Sequence, residues 1–188
     1  MNEQAQQQEQ KKAQRKITVK SLITDIIIVV VIVLAVTAFM KPIIVKQTSM
    51  TPTLQENNYI FLSRQAYRFG EPKRGQIVVF PIKTAAGKEL FIKRVIGLPG
   101  DVIDIHDGKV YVNGKKEDQS FTRDGYTPGY VRDFKVPAGR IYVMGDNRVD
   151  SVDSRYKEVG TRKISEVTGV AVLRVWPLSE FGILERHK

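Results

Sequence analysis

Cysteine is absent from this 188-residue chain, and histidine occurs only at His106 and His187. Without cysteine there is no disulfide framework, thiol nucleophile or thiolate metal site. His106 falls in an expected hairpin turn and His187 is the penultimate residue. Neither has a partner at a metal-binding spacing, so no metal and no cofactor is expected. The same scarcity removes the usual base from any serine-hydrolase argument. After Met40 no stretch shows a helical period, and there is no internal repeat.

One long apolar run stands out. Leu22 to Met40 is apolar except for Thr24, Asp25 and Thr37. As a helix it spans about 28 Å, close to the ~30 Å hydrocarbon core of a bilayer. Val36 and Ala38 would also suit a cleaved secretory signal, but the run exceeds the roughly 7–15 residues of such a signal, so a retained anchor is expected. Ahead of it, residues 1–20 form a Gln-rich tail with Lys11, Lys12, Arg15, Lys16 and Lys20 and almost nothing apolar, expected to be disordered. Only Lys41 and Lys46 follow closely, so the charge bias puts the N-terminus in the cytoplasm and residues 41–188 outside. The expected organisation is a polar tail (1–20), an anchor (21–40) and an extracytoplasmic domain (41–188).

That outer part carries 25 Lys and Arg against 17 Asp and Glu. In a tethered extracytoplasmic domain such an excess suits anionic membrane lipids as partners and not nucleic acid. Its apolar runs are short and rich in Val, Ile, Phe and Tyr: 59–62, 76–80, 90–96, 102–105, 109–112, 141–144 and 168–175. Gly, Pro, Asn and Asp separate them, as in strands. His106-Asp107-Gly108 and Asn113-Gly114 read as hairpin turns, and 118–139 as a long irregular excursion. The fold class is mainly β, antiparallel sheets in a coiled or partly closed domain, preceded by one transmembrane helix.

Three segments depart from this background. Gln47-Thr48-Ser49-Met50-Thr51-Pro52-Thr53-Leu54 begins soon after the span, with Pro52 limiting local backbone freedom. Alone it reads as a surface turn. Phe91-Ile92-Lys93-Arg94-Val95-Ile96-Gly97-Leu98-Pro99-Gly100-Asp101 puts two adjacent basic residues on opposite faces of an apolar strand. Either both reach water from an edge, or one is desolvated; a desolvated lysine can lose its charge near neutral pH and serve as a base. Gly145 to Arg155 is dense in Asp, Asn and Ser, which bond neighbouring backbone groups and make an ordered polar loop.

Together the three segments resemble the signature boxes of bacterial type I signal peptidases: Ser-Met-x-Pro-Thr-Leu, Lys-Arg-Val-Ile-Gly-Leu-Pro-Gly-Asp and Gly-Asp-Asn-Arg-x-x-Ser-x-Asp-Ser-Arg, in that order behind an anchor. The resemblance covers nearly the whole chain from residue 22, and the single span with modest length resembles the compact Gram-positive form at the plasma membrane. It implies a membrane serine endopeptidase that removes signal peptides from exported preproteins, cleaving after small residues at −3 and −1. By that resemblance Ser49 is the nucleophile, Lys93 the general base, and Ser151 the hydroxyl that orients the lysine. Asp146, Asp153 and Arg155 support the loop, and Ile43, Val45, Met50, Leu54 and Ile92 contact the substrate. One position departs: the family has a small residue two before the nucleophile, where this chain has Gln47, which leaves the second oxyanion donor unassigned. Two other classes fit the dyad or the anchor less fully: a self-cleaving serine–lysine protease of the repressor type, and a non-catalytic tethered β domain that binds exported proteins.

Overall fold

The structure is a computed structural model describing residues 3–85, 87–184 and 186, with the side chains of residues 3–17 and 35 outside that description. His187 also lies outside it. The chain divides into two compact units that meet in sequence at Phe39 and Met40.

The first unit is one helix, α1 (Glu3–Phe39). The expected disordered tail is therefore helical from Glu3. Its Gln, Glu, Lys, Arg and Ala residues are all strong helix formers, and they extend the helix that the apolar run nucleates. Thr18–Phe39 is long and apolar enough to cross a membrane, with a mean hydropathy of 2.9. Apolar side chains from Leu22 to Leu34 are all exposed, unlike those of a core helix, and such a surface needs an apolar solvent.

Among the described residues the second unit has twelve strands: β1 (Met40–Ile44), β2 (Tyr59–Ser63), β3 (Ile77–Thr84), β4 (Gly87–Gly97), β5 (Val102–His106), β6 (Lys109–Val112), β7 (Lys115–Lys116), β8 (Val131–Lys135), β9 (Arg140–Met144), β10 (Arg162–Lys163), β11 (Gly169–Trp176) and β12 (Gly182–Ile183). One sheet runs β1-β2-β11-β3-β4-β9-β10 with β12 added to β11, and a smaller one runs β7-β6-β5-β8. Pairing is antiparallel throughout. This is the mainly β domain that the alternating runs imply.

The two hairpin turns fall where expected. Asp107-Gly108 and Asn113-Gly114 each place two successive residues at positive φ, the requirement of a tight two-residue hairpin turn that Asn, Asp and Gly meet at low cost. His106 ends β5 and its ring stacks on Tyr111 at 4.6 Å between centroids, an ordinary cross-hairpin contact. The stretch 118–139 is less irregular than its sequence suggests, because β8 pairs with β5, matching Ile103 to Phe134 and Ile105 to Val131. With four of its five residues exposed, β8 carries little apolar signal of its own and depends on that partner.

Three apolar clusters fill the domain. The one behind the site contains Val45, Met50, Leu54, Ile60, Leu62, Ile77, Val79, Ile92 and Ala171. It fixes the segment that carries Ser49 against β4, which carries Lys93.

Candidate active site

Ser49 sits in a turn closed by Thr51 N–H donating to Thr48 C=O at 3.0 Å, and Leu54 N–H donates to Met50 C=O at 2.9 Å just beyond it. Met50 and Leu54 anchor this turn in the core. The loop after β9 clasps it from the other side. Asn147 N–H donates to Ser49 C=O at 3.1 Å. Thr48 Oγ1 donates to Asp150 at 3.1 Å. Gly145 lies where the turn and loop touch: a Cβ there would overlap Ser151 Oγ and Cβ and the Ser49 carbonyl oxygen, so only glycine fits.

Lys93 and Arg94 leave adjacent positions of β4 and are both buried, at 1% and 0% exposure, so neither reaches water from an edge. Their partners differ in kind. Arg94 is held by Asp146 through Nε–Oδ1 at 2.8 Å and Nη2–Oδ2 at 2.6 Å, and also donates to Gly75 C=O at 2.7 Å. Thr53 Oγ1 donates to the same carboxylate at 2.6 Å, tying the serine segment into the pair. Arg155 likewise takes both oxygens of Asp153, at 2.8 and 2.9 Å, and binds the carbonyls of Pro128, Arg148 and Ser151. The two buried carboxylates nearest the lysine are thus already neutralised by arginine.

Among the described residues Lys93 has no carboxylate of its own. Its Nζ lies 2.6 Å from Ser49 Oγ, donating to it when charged. A buried ammonium whose hydrogen-bond partner is a hydroxyl is poorly compensated. Burial accordingly pushes Lys93 down from 10.5 to about 8, outweighing the upward pull of Asp153 and Asp146, while Arg155 adds a smaller downward push. The neutral amine is then accessible near physiological pH, 2.6 Å from a hydroxyl whose proton it can accept.

Ser151 does not bond to Lys93 in this structure. Its Oγ donates to Asp153 Oδ2 at 2.8 Å, the oxygen that also accepts the Gly145 N–H at 3.1 Å. Asp146, Asp153 and Arg155 all take part in the hydrogen-bond network of the loop.

A cleft of about 490 Å³ opens beside the pair, lined by residues 43–47, Ser49 and Met50 on one side and by Lys88, Glu89, Leu90 and Ile92 on the other. It thus gathers Ile43, Val45, Met50 and Ile92, four of the five expected substrate contacts. Leu54 is a correction: it is fully buried in the cluster behind the cleft and lines none of it, because the turn after Met50 carries it inward. The cleft also uses Leu90, which two-residue alternation from Ile92 would have identified. Gln47 lines the cleft and is half-buried. The Ser49 N–H has no hydrogen-bond acceptor among the described residues.

The profile of the family described as signal peptidase, peptidase S26, matches residues 18–176, well over half of the chain. The chain belongs to this family. It is therefore a peptidase, which excludes the non-catalytic reading, and the family match replaces the repressor-type one. Among curated relatives, a probable signal peptidase I-2 of Synechocystis is 40% identical, over 74% of this chain and 65% of that protein. Signal peptidase I of Bacillus caldolyticus is 39% identical, over 74% of this chain and 81% of that protein. A solved signal peptidase I from Enterococcus faecalis is 31% identical, covering 53% of this chain and 96% of that one, with a TM-score of 0.43.

Proposed function

We propose that this chain removes signal peptides from exported preproteins, with Ser49 as nucleophile and neutral Lys93 as general base. The observation that carries the assignment is the 2.6 Å contact between Ser49 Oγ and a buried lysine that has no carboxylate partner of its own among the described residues. Ser49 Oγ attacks the scissile carbonyl carbon as its proton passes to Lys93 Nζ. The unpaired Ser49 N–H supplies one donor to the resulting oxyanion. The lysine ammonium then protonates the leaving amine, and an ester to Ser49 remains. Water, losing a proton to the same amine, hydrolyses that ester and restores the serine. Arg94–Asp146 and Arg155–Asp153 hold the loop in register while keeping net negative charge away from Lys93. Ser151, beside Gly145, donates to Asp153 and so acts on the lysine through the carboxylate that favours its charged form.

The cleft takes the end of the signal peptide as an extended strand. Over residues 87–93, β4 is paired with β3 alone, because β9 joins it only from Arg94. The opposite wall is β1, an edge strand of the same sheet, and its continuation to Val45. An extended segment between these free edges adds a strand, and apolar walls leave room for small residues at −3 and −1. The basic residues ahead of Leu22 favour a cytoplasmic N-terminus, with 1–20 as the inner segment, 21–40 as the anchor and 41–188 outside. Nine residues of chain from Met40 then tether Ser49 near the membrane surface, where cleavage sites emerge, and the basic excess beyond the span favours contact with anionic lipids. Cleavage of a signal-peptide-bearing preprotein by the full chain in detergent, lost in both Ser49→Ala and Lys93→Ala, is the expected result; normal cleavage by either variant overturns the dyad.

A further inference from the structure

The cleft changes character along its length. On β4 the residues Lys88, Leu90 and Ile92 share one face of the strand by alternation, and all three line the cleft. Ile92 adjoins the reacting pair, Leu90 follows, and Lys88 ends the row about 17 Å from Lys93 at about 3.3 Å per residue. The wall is thus apolar beside Ser49 and cationic at its far end.

That end carries more than one cation. Lys83 stands directly opposite Lys88 in the β3–β4 hairpin, and both are exposed. Cross-strand partners project to the same face, where like charges are unfavourable. Neither lysine forms an ion pair among the described residues. Lys46, three residues before Ser49, is an exposed cation of the opposite wall nearer the reacting pair. The acid at this end, Glu89, also lines the cleft, where its carboxylate accepts a hydrogen bond from Thr84 Oγ1 at 2.8 Å, and it is outnumbered by Lys83 and Lys88.

We propose that Lys88, with Lys83 behind it, forms a subsite for an acidic side chain about five residues before the scissile bond. An extended substrate presents alternate side chains to one wall, so −1 meets Ile92, −3 meets Leu90 and −5 meets Lys88. Leu90 and Ile92 fill the space beside the substrate backbone and favour small residues, whereas a carboxylate at −5 relieves the repulsion between the two lysines. The subsite presupposes that the cleft takes the strand ahead of the scissile bond, as in the proposed function above.

The test uses the full chain in nonionic detergent and internally quenched peptides that differ only in Glu, Gln or Lys at −5, with the same series at −4 as a register control. Glu at −5 is expected to exceed Lys in kcat/KM by about two- to tenfold, an exposed-pair effect. The preference should shrink at high salt and be missing at −4. Lys88→Glu is expected to reverse the order, and Lys83→Gln combined with Lys88→Gln to flatten it. Each ratio is read within one enzyme, so a variant with a lower overall rate remains informative. Equal rates for Glu and Lys at −5 in the unaltered chain, as for lysines that face lipid headgroups and not substrate, overturn the subsite. So does an order that persists in Lys88→Glu. No cleavage of any peptide, together with no acylation of Ser49, removes the dyad reading and the subsite with it.

Discussion

Replacing Lys93 by methionine keeps the length and apolar stem of the side chain and removes its charge. Lys93 is 1% exposed, and its pKa falls from 10.5 to about 8 on folding. At about 1.36 kcal/mol per unit, burying the ammonium costs the native state roughly 3 kcal/mol below pH 8. Methionine removes that cost but also the contact with Ser49 Oγ, worth about 1 kcal/mol net. Near neutral pH the variant should therefore be the more stable protein by about 2 kcal/mol, or roughly 4–8 °C in Tm for a domain of this size. The sign then turns with pH. Between about 8 and 10.5 the unfolded chain still holds the proton that the folded chain has released, so the stability of the unaltered protein rises through this window. Above it only the lost hydrogen bond remains, and methionine becomes the less stable by about 1 kcal/mol. Urea unfolding of the detergent-solubilised full chain, followed by circular dichroism at several pH values spanning that window, measures the difference directly. A difference that does not change with pH would mean that Lys93 titrates as an ordinary lysine, and the argument from its burial would fail.

The loop network supports further expectations. Asp146→Asn leaves the Arg94 guanidinium buried without a carboxylate, which should cost about 3–5 kcal/mol in the same unfolding assay. Asp146 also pulls the Lys93 pKa upward, so whatever activity survives should have its alkaline rise displaced to lower pH. Gly145→Ala forces a methyl group into Ser151 and the Ser49 carbonyl. It should lose about 1–3 kcal/mol of stability, with a larger proportional loss of kcat than of 1/KM, read from peptide cleavage and thermal unfolding together.

Much of the fold could be read from composition and alternation. The anchor announces itself by its length, and the Asp107-Gly108 and Asn113-Gly114 turns by residues that tolerate positive φ. What escaped depended on neighbours outside the segment itself. β8 has one exposed aromatic and three charged residues among its five, and it is a strand because β5 completes its ladder. Residues 3–20 lack any apolar face, yet a helix already nucleated next to them extends into good helix formers at little cost.

The site divides in the same way. The Lys93-Arg94 pair was visible as an anomaly in an apolar strand, but not which of the two is compensated. That follows from Asp146, brought from 52 residues away to Arg94 and not to Lys93. Leu54 matched the expected substrate-contact pattern, but its place in the turn sends it into the core. Ser151 lies in the right loop, although its hydrogen bond goes to Asp153.

The most direct test of the account is the pH dependence of acylation at Ser49. A serine-reactive acylating probe applied to the full chain, with the modified residue located by mass spectrometry, should label Ser49. The rate should rise about tenfold per pH unit and level off above about pH 8, as Lys93 loses its proton. Ser49→Ala should take no label, and Lys93→Ala should lose both the rate and its pH dependence. Labelling that persists in Ser49→Ala, or a Ser49 rate in the unaltered chain indifferent to pH across that range, would contradict the assignment of a lysine-activated serine.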